Sequence, residues 1–147
     1  MSLIAFDFDG TLSDSEMTVL LGERAGVADE MARITQRAMN DEIGYARSLR
    51  ERAALFEGLS EREAEAAFDA VRLREGAAGV LDRLRGRDHT VAILTGGFDR
   101  GVERALARAD TAVGTVVANR LPVADGRLTG GVGGRLGNER GAGDGGG

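Results

Sequence analysis

The stretch Leu3-Ile4-Ala5-Phe6-Asp7-Phe8-Asp9-Gly10-Thr11-Leu12 decides the fold. A short apolar run that ends in a Gly-containing turn reads as a buried strand. At the end of that strand two carboxylates stand two residues apart, so both Asp7 and Asp9 can be turned toward one pocket. One can attack an electrophile there while the other handles a proton. That is an arrangement for phosphoryl transfer. A plain strand-to-helix turn accounts for Asp9-Gly10 but leaves the carboxylate beneath Phe8, and the Thr11 that follows, without a reason.

The 147 residues are enough for one domain, or a domain with a small insertion, around a real core. No run of about 18 apolar residues occurs, and the N-terminus enters a strand without a signal-peptide charge pattern. The chain is therefore expected to be cytoplasmic, with no membrane partner. Because cysteine is absent, any metal must sit on oxygen ligands, which favours magnesium over zinc. His89 cannot build a zinc site alone, and after Arg85-Gly86-Arg87-Asp88 it is expected in an exposed turn. A net charge of -5 argues against nucleic acid as a partner. All 19 basic residues are Arg. Phosphate sites commonly use a Lys ammonium, so either Arg replaces it here or that charge is missing.

The middle of the chain reads as four amphipathic helices within residues 14–72. Ser13 and Asp14 can cap one that carries Met17, Leu20 and Leu21. Asp29 can cap a second, with Met31, Ile34 and Ala38 on one stripe. A third pattern runs from about Glu42 to Glu57, with Tyr45, Leu49, Arg52, Ala53 and Phe56 at spacings of three and four. Ser60-Glu61-Arg62-Glu63 is a capping box that opens the fourth. Placed just after the first strand, this small bundle can close over the site and exclude water.

Beyond it the period changes. Gly76 to Arg85 suits a helix, and Thr90-Val91-Ala92-Ile93-Leu94 a buried strand that ends in Thr95-Gly96-Gly97. A hydroxyl followed by two glycines at a strand end can donate hydrogen bonds to phosphate oxygens. Asp99 is placed to cap the next helix. Strand, helical insert, helix, strand, helix, strand is a parallel α/β layout, with ligand expected at the carboxyl ends of the strands.

The run Asp7-Phe8-Asp9-Gly10-Thr11 resembles the first motif of the haloacid dehalogenase superfamily of aspartate-dependent phosphatases. Further landmarks follow in order: Glu16, the Met39 to Arg52 stretch, Glu75-Gly76-Ala77, Gly96-Gly97-Phe98-Asp99, Ala118-Asn119-Arg120-Leu121 and Asp125-Gly126-Arg127-Leu128-Thr129-Gly130. Together they resemble the phosphoserine phosphatase family within it. The resemblance implies a Rossmann-like parallel sheet, here incomplete, with a four-helix cap inserted after the first strand. The core would take residues 1–13 and 73–129, and the cap 14–72. It implies hydrolysis of phosphoserine to serine and phosphate, in serine biosynthesis, through an aspartyl-phosphate intermediate. Asp7 would be the nucleophile and Asp9 the acid/base, with Mg2+ held at Asp7 and Asp9. Glu16 would take the substrate's ammonium group and Arg52 its carboxylate, a pairing suited to a zwitterion. Met39 and Tyr45 would line the serine pocket, and Thr95 and Gly96 would bind phosphate.

From Gly130 to Gly147 ten of eighteen residues are Gly and no helix or strand period survives. Such a segment is expected to be disordered. In the family this region begins a segment with a catalytic Lys and an acidic metal loop. Gly143-Asp144-Gly145 matches only that loop's opening, so the tail is expected to be a shortened or frame-shifted continuation. The family's nucleophile strand is central in its sheet, whereas here Leu3 to Phe8 would become an edge. Beside the phosphatase reading stand a catalytically impaired binding or interaction protein, and another small phosphatase of the superfamily.

Overall fold

The computed structural model describes residues 2–134. The apolar run forms strand β1 (Leu3–Phe6), and four helices follow: α1 (Met17–Ala25), α2 (Ala28–Met39), α3 (Tyr45–Ala54) and α4 (Glu61–Asp69). Helix α5 (Ala77–Gly86) then leads into β2 (Thr90–Phe98), α6 (Asp99–Arg108) and β3 (Thr115–Arg120). Three two-residue strands close the described chain: β4 (Val123–Ala124), β5 (Arg127–Leu128) and β6 (Gly133–Gly134).

The main sheet has the order β1-β2-β3-β6, with β1, β2 and β3 parallel and β6 antiparallel to β3. Among the described residues β1 is thus an edge, and Leu3 is 69% exposed. The α/β class and the helical insert agree with the reading of the sequence. Strands β4 and β5 form a hairpin around Asp125-Gly126, both at positive φ (54° and 75°), the conformation an Asp-Gly turn favours.

Several expected boundaries move. Ser13 and Asp14 do not cap α1, which begins after Glu16 without a side-chain cap; the Ser13 hydroxyl instead accepts from the Ser15 amide at 3.1 Å. Asp29 and Asp99 lie inside the first turns of α2 and α6, so their charge faces the positive helix end without capping it. The box at Ser60 is present, its hydroxyl accepting from the Glu63 amide at 3.1 Å. His89 is half-buried, not exposed, with Nδ1 enclosed. The glycine-rich segment is expected to be disordered from Gly130, but Gly133 and Gly134 pair with Arg120 and Asn119. The Gly143-Asp144-Gly145 triplet lies outside the described residues.

One apolar core joins insert and sheet. Met17, Leu21, Leu49, Phe56 and Phe68 of the insert pack with Phe8, Val91, Ile93, Phe98 and Val102 of the sheet side, all at most 2% exposed. Burying each such side chain contributes about 1.5–3 kcal/mol. Phe68 of α4 meets Phe98 edge-on at a ring separation of 6.5 Å. Around this contact runs a ladder of ions between α4 and α6: Arg100 with Glu61 and Glu65, Arg104 with Glu65 and Asp69, Arg108 with Asp69. Among the described residues no helix is long and apolar enough to cross a membrane.

The edge position of β1 has a measurable result. Among the described residues no strand pairs with its outer side, whereas β2 is bonded on both sides. We expect Leu3 to Phe6 amides to exchange hydrogen faster than those of Val91 to Leu94, read residue by residue by NMR or mass spectrometry. Equal, strong protection of both strands in a monomer would mean that the edge is covered.

Candidate active site

Directly after β1 the chain tightens into a loop. The amides of Thr11 and Ser13 both donate to the Phe8 carbonyl at 3.0 Å, and the Gly10 amide donates to the Ser13 carbonyl at 2.8 Å. Gly10 takes φ 78°, which any other residue would adopt only with strain. From the far side Arg74 clamps this loop. It donates to the Thr11 and Gly10 carbonyls at 2.9 and 3.1 Å and pairs with Asp14 at 2.5 Å. Phe8 is fully buried, so the residues flanking it, Asp7 and Asp9, are turned away from the core.

The opposite wall is β2. Its pairing with β3 is irregular: Leu94 faces Val117, but the next partners are Phe98 and Asn119. Residues Thr95, Gly96 and Gly97 form a bulge that leaves the ladder and turns into the cleft. The sequence suggests a strand ending at Leu94; strand geometry instead continues to Phe98, with the glycines inside it. The bulge is held locally, as the Thr95 hydroxyl accepts from the Gly97 amide at 2.9 Å and the Asn119 side chain donates to the Gly96 carbonyl at 3.0 Å. A Cβ on Gly97 would lie 3.1 Å from Asp9 Oδ2, so only glycine lets the two walls approach this closely without displacement.

Between them lies a cleft of about 170 Å³. Asp7 and Asp9 form its floor, with Glu16 beside them and Thr95, Gly96 and Gly97 opposite. The insert supplies Thr18, Tyr45, Leu49 and Arg52. Seven of the eight residues singled out from the sequence thus meet in one place. The eighth, Met39, is 73% exposed and lines an adjoining groove with Tyr45, Ser48 and Arg52. The sequence reading, which had Gly97 in its phosphate-binding turn, missed Thr18 and Leu49 in the cleft, and the loop clamp Arg74. Leu49 shares the stripe of Tyr45 and Arg52, a signal that could have found it. Thr18 and Arg74 carry no motif.

Arg52 is oriented by its own helix and by α1. Its Nε donates to the Ser48 carbonyl at 3.3 Å, its Nη1 to the Thr18 hydroxyl at 3.5 Å, and it lies 5.8 Å from the Tyr45 ring centroid. Among these charges Asp9 is the most perturbed. Burial above all pushes its carboxyl up to about 7; the Met17 amide, donating at 3.4 Å, opposes the rise, and the Glu16 and Asp7 charges add to it. Asp9 Oδ1 is buried with no partner among the described residues. A carboxyl that is half protonated near neutrality can give and retake a proton.

The orphaned Asp9 oxygen beside the Asp7 carboxylate also fits a hard cation. Magnesium needs only one or two carboxylates when water and phosphate complete its shell. Among the described residues no three acidic or His side chains are placed to hold one metal ion together. Asp7, Asp9 and Glu16 are the carboxylates that border the cleft.

This geometry matches known proteins. The chain is 54% identical over 136 residues to a phosphoserine phosphatase of Halobacterium salinarum, covering 92% of this chain and 64% of that one. A phosphoserine phosphatase of Lactococcus lactis is 40% identical over 87% of this chain and 58% of its own length. The chain thus spans less than two thirds of both curated relatives. Among solved structures, one described as a phospho-aspartyl intermediate analogue of phosphoserine phosphatase superposes with a TM-score of 0.82 at 32% identity. It covers 99% of this chain and 73% of the other. The model of the haloacid dehalogenase-like hydrolases matches residues 4–144, and with two carboxylates at the end of the first strand facing a glycine bulge across the cleft, this chain belongs to that family.

Proposed function

We propose that the chain carries the substrate site of a phosphoserine phosphatase and hydrolyses O-phosphoserine to serine and orthophosphate. The observation that carries this reading is the company kept by Asp7 and Asp9. One cleft holds two carboxylates for chemistry, a further anion in Glu16, a guanidinium in Arg52, and a hydroxyl-glycine bulge. A phosphorylated amino acid presents the complementary set: an ammonium group, a carboxylate and a phosphate. The similarity to the phosphoserine phosphatases of Halobacterium and Lactococcus supports the same substrate.

In this reading an Asp7 oxygen attacks phosphorus as the ester P–O bond breaks, and the departing serine oxygen takes the Asp9 proton. Water then attacks the aspartyl phosphate, giving its proton to Asp9 and releasing orthophosphate with Asp7 restored. Burial suits Asp9 to both halves, since a carboxyl near 7 is an acid and a base at the same pH. Asp7 and Asp9 would hold the magnesium ion, which supplies charge to neutralise the phosphate facing a carboxylate nucleophile. The Thr95 hydroxyl and the amides of the bulge would receive phosphate oxygens, Glu16 the ammonium and Arg52 the carboxylate.

Substrate discrimination tests the assignment. Arg52→Ala should lower kcat/KM for phosphoserine by about a hundredfold, the loss expected for a charge-assisted bidentate contact. An aryl phosphate, which has no carboxylate, should lose no more than a few-fold. Equal losses on both would refute the role given to Arg52. Asp7→Asn should abolish turnover of both substrates while leaving the protein folded; retained turnover would remove the nucleophile assignment.

The buried carboxyl makes stability depend on pH. Because its folded value is raised from 3.8 to about 7, the native state binds this proton more tightly than the unfolded chain. Its contribution to stability is full below about pH 4 and is lost as pH rises through about 7. In EDTA, Asp9→Asn should therefore gain on the wild type between pH 5 and pH 8 by on the order of 1–2 kcal/mol, discounted for partial solvent access. Urea unfolding at the two pH values measures it, and parallel curves would show that Asp9 titrates normally.

A further inference from the structure

Tyr45 opens α3 in the helical insert, yet its ring reaches across the cleft to the bulge of β2. A methyl group built on Gly96 would collide with the Tyr45 hydroxyl and come within 3.1 Å of its Cζ. The missing side chain of Gly96 is what gives the phenol its place. The Arg52 guanidinium stands 5.8 Å from the ring centroid, and the ring divides the cleft from the adjoining groove of Met39 and Ser48. Although half exposed, the hydroxyl makes no hydrogen bond among the described residues. A donor without a partner therefore sits directly over the glycine whose amide belongs to the phosphate-facing bulge.

We propose that the Tyr45 hydroxyl is a positioning donor to the phosphoryl group, gripping from the insert side the same oxygens that the Thr95-Gly96-Gly97 bulge receives from the sheet side. This rests on the reading of the cleft as a phosphomonoester site and adds a contact to it. None of the 147 residues is a lysine, and the groups in the cleft that can meet a phosphate are the Arg52 guanidinium, hydroxyls and backbone amides, beside any bound cation. A phenol is well suited: its O–H forms a short, charge-assisted bond to an oxyanion. Its stiff ring, with two rotatable bonds, loses little freedom on being held. The contact is to phosphate and not to the amino-acid end, so it serves every phosphomonoester alike, in contrast to Arg52. It also couples substrate to the insert, because the donor rides on α3 while the acceptor is seated on β2.

The chain reports on this contact by itself, for Tyr45 is its single tyrosine and it has no tryptophan. Inorganic phosphate titrated into the protein with magnesium present should release or absorb heat and change the tyrosine emission over the same concentration range. Tyr45→Phe, which keeps the ring and its packing, should bind inorganic phosphate about tenfold more weakly with its melting temperature unchanged. Its KM for phosphoserine and for an aryl phosphate should rise by the same factor. Phosphate that binds by calorimetry without moving the emission, or that binds Tyr45→Phe as tightly as the wild type, would overturn the proposal and leave the phosphate site standing. No binding to the wild type by either signal would overturn both.

Discussion

Crowding of negative charge at the end of one strand is the constraint on which the rest of this site depends. Asp7, Asp9 and Glu16 border a cleft of about 170 Å³, and Asp9 is driven far enough from water for its carboxyl to titrate near neutrality. A buried carboxylate without a counter-charge is costly. It persists because the backbone around it is over-determined: Phe8 is fixed in the core, Gly10 takes a left-handed turn that a side chain would strain, and Arg74 holds the loop carbonyls from behind. The structure spends stability on this loop, and what it gains is a pair of carboxylates ready for a cation and a phosphate.

The second wall is built by subtraction. Three residues leave the β2 ladder, and two of them lack a side chain at the positions where Tyr45 and Asp9 press closest. Asn119 belongs to β3 and reaches across to hold the Gly96 carbonyl. A neighbouring strand thereby fixes the bulge in the shape that a ligand would need. The insert needs the same closeness, since Met17 of α1 packs against Gly101 of α6, where a Cβ would fall 2.9 Å from the methionine methyl. Small residues set the distance between insert and sheet.

Much of this was legible in the residues, and the exceptions share a cause. The Asp-x-Asp strand, the Ser60 box and the stripes of α2 and α4 are local signals, and each appears where the spacing places it, whereas α3 runs only from Tyr45 to Ala54, short of the expected Glu42 to Glu57, and leaves Phe56 in the turn that follows. Helix starts at α2 and α6 shifted because an acidic residue near a helix start serves equally as a cap or as a first-turn charge, and sequence does not separate the two; α1 starts later because Ser13 and Asp14 are engaged in the loop, by the Ser15 amide and by Arg74. The strand that continues through Thr95-Gly96-Gly97 was hidden because glycine pairs read as turns, and only the register against β3 reveals a bulge. Thr18 and Arg74 act through contacts more than thirty residues away in sequence, which no window of periodicity can contain. Met39, by contrast, lies on the α2 side of Tyr45, just past the wall that divides the two cavities.

The ion ladder between α4 and α6 makes the seam between insert and sheet responsive to the medium. Its five Arg–carboxylate pairs are partly exposed and weaken as salt shortens the screening length from about 10 Å at 0.1 M to about 3 Å at 1 M. The Phe68–Phe98 contact beneath them is apolar, and salting-out ions strengthen burial of that kind. In dilute buffer the seam is a set of directional bonds that fixes one angle between the helices. At high salt more of the hold between α4 and α6 passes to the apolar contact beneath, which is less directional than the ion pairs.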